Sequence, residues 1–578
     1  MDRIPSFNNL KSFAKKDRAG FRKHRLAIMG DCATQHLRTA IEGYGCYCGY
    51  DLDVYEADYD QIASQVFDQG SDYYAHEPKT TLIFMCTEAL FRRFCAWEPE
   101  RRKEFSGSIL GEIRSYWTSI RSRSQSRILQ TLFLEINDRV FGNYGLGVED
   151  SFIYQIRMIN TGLMEMTRSV ENAFLLDMTD IALGLGLDRF RSTKMYHYAK
   201  MPVSIDALPY VAKNVVDMIS AADGRIKKCV ILDLDNTLWG GVVGDDGLEG
   251  IQIGDLGAGP AFSAFQRYLR ELKNRGILLA ICSKNNEDIA KSAFTDHPDM
   301  VLRLEDISMF VANWNDKASN IRHIQKTLNI GMDSMVFIDD NPFERGLVAQ
   351  QIPEITVPDM PEDPSDYVDY LASLNLFETA SYSEEDRGRT KQYQAEASRV
   401  EAQGAFESYD SYLEDLDMTA EMSGFDDFNC PRIAQLTQRT NQFNFRTVRL
   451  TEDEVAAISR DDSYRTFYVK LKDRFGDYGL ISVIILKRVD VDTMFVDNWV
   501  MSCRVLKRGV EEFIMNAIVD TAKGMGCKRI VGEYIETPKN RMVSGLYEQF
   551  GFIKTGEGRF ELDVPSYESR KTFVRGGP

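Results

Sequence analysis

Three short apolar segments, each followed directly by polar residues, constrain the fold of this chain most strongly. They run from Cys229 to Leu232, from Ile277 to Ile281 and from Met335 to Ile338. Their length and their content of β-branched residues predict buried strands of a parallel sheet. Because the carboxyl ends of parallel strands meet at one edge of such a sheet, we expect the polar residues that follow them to form one site.

Two aspartates follow the first segment. Asp233 and Asp235 are two residues apart, so their carboxylates can converge on one centre. Buried together without a cation, they would repel each other and raise each other's pKa. A Mg2+ ion removes that conflict and prefers oxygen ligands. For an isolated pair of aspartates the alternative is a solvated turn that closes a strand. The polar residues at the two other strand ends favour a shared site instead.

These strand ends resemble the motifs of the haloacid dehalogenase (HAD) superfamily of phosphoryl-transfer enzymes. In chain order, the four motifs match Asp233, Asp235 and Thr237, then Ser283, then Lys317, then Asp339 and Asp340. Within residues 225–380, four longer segments resemble the FkbH-like branch of this superfamily. They are DLDNTLWGGVVGDDGLEG, LAICSKNNED, NWNDKASNI and FIDDNPFER. This resemblance implies an enzyme that transfers a glyceryl unit from 1,3-bisphosphoglycerate to the phosphopantetheine thiol of an acyl carrier protein. Phosphate is removed, and the product supplies a polyketide-type pathway.

The resemblance also implies a role for each motif residue. Asp233 would attack phosphorus, and Asp235 would act as general acid and then as general base. Thr237, Ser283 and Lys317 would bind the phosphate group. The implied cofactor is Mg2+, with ligands on Asp233, Asp339, Asp340 and the main-chain carbonyl of Asp235.

Cys282 is the residue that makes this branch distinctive. It precedes Ser283 at the sheet edge, where Lys284, Lys317 and a following helix N-terminus would favour its thiolate. A thiolate beside an acyl phosphate could accept the glyceryl group as a thioester, and the carrier thiol could then take it by exchange. The alternative is a core cysteine that only packs.

Three further residues are predicted to contact substrate, namely Trp239, Asn285 and Asn313. Trp239 precedes two glycines, which would let the backbone turn into a small flap over the site. This tryptophan either covers the pocket or anchors the flap in the core.

Residues 1–220 are predicted to form a doubly wound α/β domain of the SGNH or flavodoxin-like kind, because strand-like runs alternate with helical patterns. The first run ends in Gly30-Asp31, which resembles the GDS block of SGNH hydrolases, although Cys32 stands where that family has its serine. We expect a docking or scaffold domain here. The alternative is a thiol-based transfer site at Cys32, whose pKa a helix N-terminus would lower.

The remaining chain is predicted to hold a HAD-like catalytic domain at 221–376, a helical linker at 377–415 and a C-terminal α/β domain at 416–578. The order of elements in the last of these resembles GNAT acyltransferases, in which a basic loop at a helix N-terminus binds coenzyme A. The corresponding loop, RVLKRG, departs from that family's pattern and contains Arg504, Lys507, Arg508 and Gly509. Coenzyme A, a carrier's pantetheine arm and simple packing remain open explanations of this loop.

Composition limits the partners and the location. A formal net charge of -18 argues against a general nucleic-acid binder. No run of about 18 apolar residues could span a membrane, and the first residues contain no apolar signal-peptide core. The ten cysteines are scattered, which is typical of reduced thiols and predicts a cytoplasmic protein. The arginine-rich stretch 92–127 is either a docking surface for an acidic carrier or a solvated helix face.

Three rival functions fit the same sequence. A Mg2+-dependent HAD phosphatase acting on a small phosphorylated metabolite would need the aspartates but not Cys282. A carrier-protein-binding scaffold would show no Mg2+-dependent turnover. An acetyl-CoA-dependent acyltransferase centred on the C-terminal domain would be indifferent to Asp233→Asn.

Overall fold

A computed structural model describes residues 4–382, 389–403, 406, 408–537 and 539–577. The chain divides into two compact units. The first comprises Met1–Ile226 and Asp369–Tyr382, and the second comprises Lys227–Val368 and Ser383–Pro578. Within the described ranges, none of the helices combines the length and the apolar character that a bilayer crossing requires.

A five-stranded parallel sheet lies at the centre of the first unit. Its strands are β1 (Arg22–Gly30), β2 (Tyr50–Glu56), β3 (Thr80–Phe84), β4 (Arg127–Thr131) and β5 (Ala173–Leu176). They lie in the spatial order β2-β1-β3-β4-β5. The helices are α1 (Phe7–Phe13), α2 (Gln35–Tyr47), α3 (Ile62–Phe67), α4 (Asp72–His76), α5 (Thr87–Cys95), α6 (Phe105–Arg123), α7 (Phe152–Thr167), α8 (Met178–Leu185), α9 (Leu187–Phe190), α10 (Thr193–Ala199) and α11 (Leu208–Ala222).

Both faces of this sheet are buried. Along β1, Leu26 and Ile28 belong to one apolar cluster, whereas Ala27 and Met29 belong to another. Successive side chains of a strand point to opposite faces, so the two clusters lie on the two sides of the sheet. A parallel sheet covered on both faces is the predicted doubly wound α/β arrangement.

The second unit contains two sheets, and the first of them is parallel. It consists of β6 (Cys229–Leu232), β7 (Leu278–Ser283), β8 (Ile307–Ala312) and β9 (Met335–Ile338), in the order β8-β7-β6-β9. Its helices are α12 (Val243–Gly250), α13 (Gly259–Asn274), α14 (Glu287–Asp296), α15 (Lys317–Leu328) and α16 (Pro342–Gln351), followed in the chain by α17 (Tyr367–Leu374).

The three strands predicted here are present, with two differences. β7 extends to Ser283, so Cys282 and Ser283 lie within the strand and not after it. β8 was not predicted. It lies at the edge of the sheet, where Met309 and Phe310 are only partly buried, although residues 309–312 form an apolar run as long as those of β6 and β9.

The second sheet of this unit is mixed and has eight strands. These are β10 (Thr419–Ser423), β11 (Tyr464–Asp473), β12 (Gly476–Arg488), β13 (Thr493–Met501), β14 (Arg529–Glu533), β15 (Ile553–Gly556), β16 (Arg559–Asp563) and β17 (Arg575–Gly577), in the order β15-β16-β14-β13-β12-β11-β10-β17. The accompanying helices are α18 (Arg389–Gln403), α19 (Tyr409–Asp415), α20 (Cys430–Arg439), α21 (Glu452–Ser459), α22 (Val510–Gly524) and α23 (Leu546–Gln549). The α/β fold class predicted for the chain is confirmed.

Helix α18 connects the two sheets of the second unit. Gln394 donates a hydrogen bond to the carbonyl of Ile307 in β8 at 2.8 Å. Further along the helix, the Arg399 guanidinium binds both carboxylate oxygens of Asp473 in β11, at 2.7 and 2.8 Å. Both of these charged side chains are almost fully buried. The middle of the helix is therefore bound to one strand of each sheet.

The amino-terminal edge of the sheet in the first unit carries a buried charge cluster. Asp223 lies 3.2 Å from Arg22, 3.1 Å from Arg127 and 3.6 Å from the Nδ1 atom of His24. Burial alone would raise the pKa of Asp223. The hydrogen bond and charge of His24 and the two guanidinium groups outweigh burial and hold this pKa well below its usual range.

We expect Asp223→Asn to lower the free energy of unfolding of this unit by about 3 kcal/mol near neutral pH. Because the pKa of Asp223 is lowered in the folded state, its stabilisation is complete above the unfolded value and is lost as the pH falls. The difference between the two proteins should therefore narrow below about pH 4. Hydrogen exchange of β1 and β4 amides measures it. Asp51→Asn, which removes a more exposed partner of Arg18, should cost at most about 1 kcal/mol. Equal losses of stability in the two variants would contradict the stabilising role of the buried Asp223 cluster.

Candidate active site

The predicted polar residues converge at the carboxyl edge of the four-stranded parallel sheet. Asp233 follows β6, Ser283 ends β7 and Asp339 follows β9. These three strands are neighbours in the sheet, with β6 between the other two. This is the edge at which open α/β sheets place their ligands.

Three carboxylates form the centre of the site. Asp233, Asp339 and Asp340 each offer an oxygen, and these atoms lie within 4.8 Å of one another. The Nζ atom of Lys317 reaches in from the start of α15 and lies 2.8 Å from Asp233 and 2.5 Å from Asp339. The lysine side chain is only 4% exposed, so this ion pair is shielded from solvent.

The electrostatics of the cluster follow from burial and charge. Burial and the neighbouring charge of Asp233 raise the pKa of Asp339 to about 6, although Lys317 opposes the shift. The same two causes, burial first, raise the pKa of Asp340. Burial would lower the pKa of Lys317, but the charges of Asp233 and Asp339 outweigh it and raise that pKa. The lysine therefore stays protonated and offsets part of the negative charge.

The cluster fits a divalent cation. The Oδ1 atom of Asp233 is buried and has no hydrogen-bond partner among the residues that the structure describes. Asp340 is oriented by Thr237, whose hydroxyl accepts from the Asp340 amide at 3.1 Å and donates to its carboxylate at 3.3 Å. A buried, unpartnered carboxylate oxygen facing two more carboxylates is the hard oxygen donor set that suits Mg2+.

Asp235 is held apart from these carboxylates by three donors. Its Oδ1 accepts from Trp239 Nε1 at 2.9 Å and from the amide of Val243 at 3.0 Å, and its Oδ2 accepts from Asn285 Nδ2 at 2.9 Å. Burial raises the pKa of Asp235, and these hydrogen bonds oppose the shift. Asn285, predicted to contact substrate, thus positions Asp235. Substrate contact by Asn285 stays a prediction.

Trp239 is fully buried, with its ring packed edge-to-face against Phe294. Of the two alternatives, this position favours the anchor over the cover. Ser283 and Thr237 are also buried at the sheet edge. The main-chain amide of Asn313 donates to the Ser283 carbonyl at 3.2 Å, so Asn313 lies beside the end of β7. Its contact with substrate stays a prediction.

The thiolate expected at Cys282 is contradicted by its surroundings. The side chain is fully buried in the apolar cluster that also holds Cys229 and Ala318. Burial raises the pKa of the Cys282 thiol, and the charge of Lys317 does not offset this. Its Sγ atom donates weakly to the Lys317 carbonyl at 3.7 Å. The lysines predicted to favour the thiolate are committed elsewhere, Lys317 to the two aspartates and Lys284 to Glu344 at 2.6 Å.

One positioning residue was not predicted. Arg345 donates to the main-chain carbonyls of Asp339 at 2.9 Å and Asp340 at 2.7 Å, and also binds Asp359 at 2.9 Å. It therefore fixes the backbone on which two carboxylates stand. The sequence signal that could have identified it is its place in the first turns of the helix that follows the aspartate pair.

In the first unit, Cys32 differs from the expected reactive thiol. It is 2% exposed, and burial raises its pKa well above the usual value. The predicted effect of a helix N-terminus is therefore outweighed by desolvation.

Residues of the basic loop before α22 form hydrogen bonds with other residues of this chain. Arg508 donates to the hydroxyl of Tyr478, and Arg504 donates to Gln392. The Lys507 amide donates to Glu511 at 2.7 Å. These contacts support packing as the explanation of the loop.

The neighbouring strands β13 and β14 pair only from Thr493 to Phe495. Beyond that point the chain's own segment 443–445 lies between them. The carbonyl of Phe443 accepts from Met501, and the carbonyl of Phe445 accepts from Ile535. Phe443 and Phe445 of this segment are buried in the core of the mixed sheet.

Comparison with known proteins identifies one family and several solved structures that are similar to parts of this chain. The family described as FkbH, N-terminal domain, matches residues 25–220. The crystal structure of an N-terminal part of the protein BF1531 from Bacteroides fragilis, described as containing a phosphatase domain complexed with Mg, is 45% identical. The alignment covers 65% of this chain and 100% of that chain, with a TM-score of 0.63. No curated protein matches the chain.

Two acetyltransferase structures also match. The ribosomal-protein-S18-alanine N-acetyltransferase from Escherichia coli is 17% identical, covering 25% of this chain and 94% of that chain at a TM-score of 0.20. Ard1 from Thermoplasma volcanium is 12% identical, covering 25% and 95% respectively at a TM-score of 0.20.

Lys317→Met tests the buried ion pair. Without added divalent ions, we expect this variant to lower the free energy of unfolding of the parallel sheet by about 3 kcal/mol, because Asp233 and Asp339 lose their shared cation while they remain buried. Lys284→Met is the matched control. Its lysine is 39% exposed and pairs with one carboxylate, so the cost should be at most about 1 kcal/mol. Hydrogen exchange of β6 and β9 amides measures both, and equal values would refute the prediction.

Proposed function

Because the chain belongs to the FkbH-like family of HAD-type proteins, we propose that it transfers a glyceryl unit from 1,3-bisphosphoglycerate to the phosphopantetheine thiol of an acyl carrier protein and releases phosphate. The family assignment rests on the FkbH, N-terminal domain, match at residues 25–220 together with the 45% identical structure whose full length this chain covers. The comparisons support an enzyme of HAD type. The proposed substrate and carrier come from the sequence resemblance alone.

One observation carries the proposal most directly. The Asp233 carboxylate is buried, with one oxygen held by Lys317 at 2.8 Å and the other without a partner among the described residues. A carboxylate fixed in this way, beside a lysine that neutralises negative charge, is suited to attack a phosphoryl group. A Mg2+ ion held by Asp233, Asp339 and Asp340 would neutralise further charge on the phosphate oxygens.

The phosphoryl chemistry uses two aspartates. Asp233 forms a bond to the phosphorus of the C3 phosphate ester, and the ester oxygen leaves as the alcohol. Asp235, oriented by Trp239 and Asn285, gives that oxygen a proton and then takes one from the water that hydrolyses the aspartyl phosphate. Lys317 stays protonated throughout and compensates the charge of the transferred group.

The acyl step is separate and needs a thiol. The carrier's thiolate attacks C1 of the acyl phosphate, a carbon–sulfur bond forms, and the C1 phosphate leaves as inorganic phosphate. A relay would place the glyceryl group on Cys282 first. The complete burial and raised pKa of Cys282 favour direct attack by the carrier thiol over that relay. The order of the acyl step and the phosphoryl step is not specified by the residues.

A plain HAD phosphatase acting on a small phosphorylated metabolite is the second candidate. The same buried carboxylates and the inert position of Cys282 favour it. Unlike the proposed transferase, a plain phosphatase would leave a carrier protein unchanged.

Intact-mass analysis of a holo carrier protein decides between them. Incubated with the enzyme, Mg2+ and 1,3-bisphosphoglycerate, the carrier should gain a glyceryl group on its pantetheine arm and lose it on thioester cleavage.

Asp233→Asn should leave the C3 phosphate on the bound group, because acyl capture does not use that carboxylate. Replacing Asp235 by Asn should slow dephosphorylation by roughly 100-fold or more. Released phosphate with an unmodified carrier would favour the plain phosphatase.

Cys282→Ala, compared with Cys229→Ala, tests the relay. Both thiols are fully buried in the same apolar cluster, so packing losses should be similar. We expect both variants to acylate the carrier at the same rate, as direct attack requires. A loss of carrier acylation in Cys282→Ala alone, with phosphate release retained, would contradict direct attack and establish the relay.

A further inference from the structure

A second cluster of potential ligand atoms lies in the first unit, at the carboxyl ends of β1 and β3. Asp31 and Cys32 follow β1, which ends at Gly30, and Cys86 follows β3, which ends at Phe84. These two strands are neighbours in the order β2-β1-β3-β4-β5. The strand order reverses between them, and such a switch point is where open α/β sheets bind ligands.

The three side chains are close and almost fully enclosed. One carboxylate oxygen of Asp31 and the Sγ atoms of Cys32 and Cys86 lie within 4.8 Å of one another. The three residues are 8%, 2% and 5% exposed, respectively. Two sulfur ligands at the usual 2.3 Å from a tetrahedral zinc ion are about 3.8 Å apart. An oxygen and a sulfur ligand are about 3.5 Å apart, so the cluster would need to contract by about 1.3 Å at most to reach that geometry.

The charge of Arg93 acts on the carboxylate of this cluster, but the two do not form an ion pair. Asp31 accepts a hydrogen bond from the Cys86 amide at 2.8 Å. No lysine, arginine or histidine among the residues described forms an ion pair with it. An ionised carboxylate enclosed in this way is costly unless a cation compensates it.

We propose that Asp31, Cys32 and Cys86 bind a thiophilic divalent cation of the Zn2+ class. Each thiol loses its proton to solvent as its sulfur binds the ion, and no electron is transferred. Three protein ligands leave the fourth tetrahedral position for water or for a donor atom of a ligand. Thiolate sulfur selects this class of ion over Mg2+, whereas the all-oxygen cluster at Asp233 suits Mg2+. The two sites therefore differ in the metal they select.

Cobalt substitution tests the site in the full-length protein. After removal of metals with a chelator under reducing conditions, Co2+ should give one equivalent of a sulfur-to-cobalt charge-transfer band, and Zn2+ should displace it. Cys32→Ser and Cys86→Ser should each weaken or abolish the band. Cys46→Ser, a buried cysteine of α2, and Asp233→Asn, in the oxygen-only cluster, should retain it. Absence of the band in the wild-type protein, or its persistence in the double Cys32→Ser, Cys86→Ser variant, would overturn the proposal.

A measurement on the wild-type protein covers variants that fail to fold. Alkylation by N-ethylmaleimide, mapped by peptide mass spectrometry during partial unfolding, should be slowed by Zn2+ at Cys32 and Cys86. Labelling of Cys46 should be unchanged. Equal labelling with and without Zn2+ would refute metal binding. A Cys32–Cys86 disulfide that persists under the reducing conditions would also refute it, because the sulfurs would not be free to bind an ion.

Discussion

The ion pair made by Lys317 allows three carboxylates to share one buried edge. Its ammonium lies 2.8 Å from Asp233 and 2.5 Å from Asp339. Without it, carboxylates within 4.8 Å of one another in a buried site would bind protons in place of ligands. Lys317 is the first residue of α15, and the helix begins there because Asp316 caps it by accepting from the Ser319 amide. A local capping interaction thus places the charge on which the site depends.

The position of this site could be predicted because two sequence signals, an apolar run and the polar residues after it, indicate where each strand ends. Each central strand is a short apolar run, and each is followed by aspartate, serine or asparagine. Parallel pairing then brings the ends of β6, β7 and β9 together without any further information. The edge strand β8 was missed although it has an apolar run at 309–312 followed by Asn313, and two of its six residues are only partly buried. Propensity identifies strands that are covered on both faces better than strands at an edge.

The roles of individual side chains were harder to predict than their positions. Cys282 and Ser283 are adjacent in β7, so they point to opposite faces. The sequence gives that alternation but not which face opens towards Asp233. Trp239 could equally have covered the pocket, and only its contacts with Asp235 and Phe294 identify it as an anchor. Desolvation, which depends on the packed core, decides both cases, and it is not encoded in any short motif.

The two parallel sheets place related groups at equivalent edges but balance their charge differently. In the second unit, a lysine enters the cluster and keeps its carboxylates available to a hard cation. In the first unit, the described residues supply Asp31 with an amide and two neighbouring thiols and with no ion pair. The negative charge of a buried carboxylate in those surroundings can be neutralised by a proton or compensated by a bound cation. A proton and a cation therefore compete for this carboxylate. Protein sulfur beside it shifts that competition towards a soft ion, since thiols compensate a carboxylate only weakly as hydrogen-bond donors.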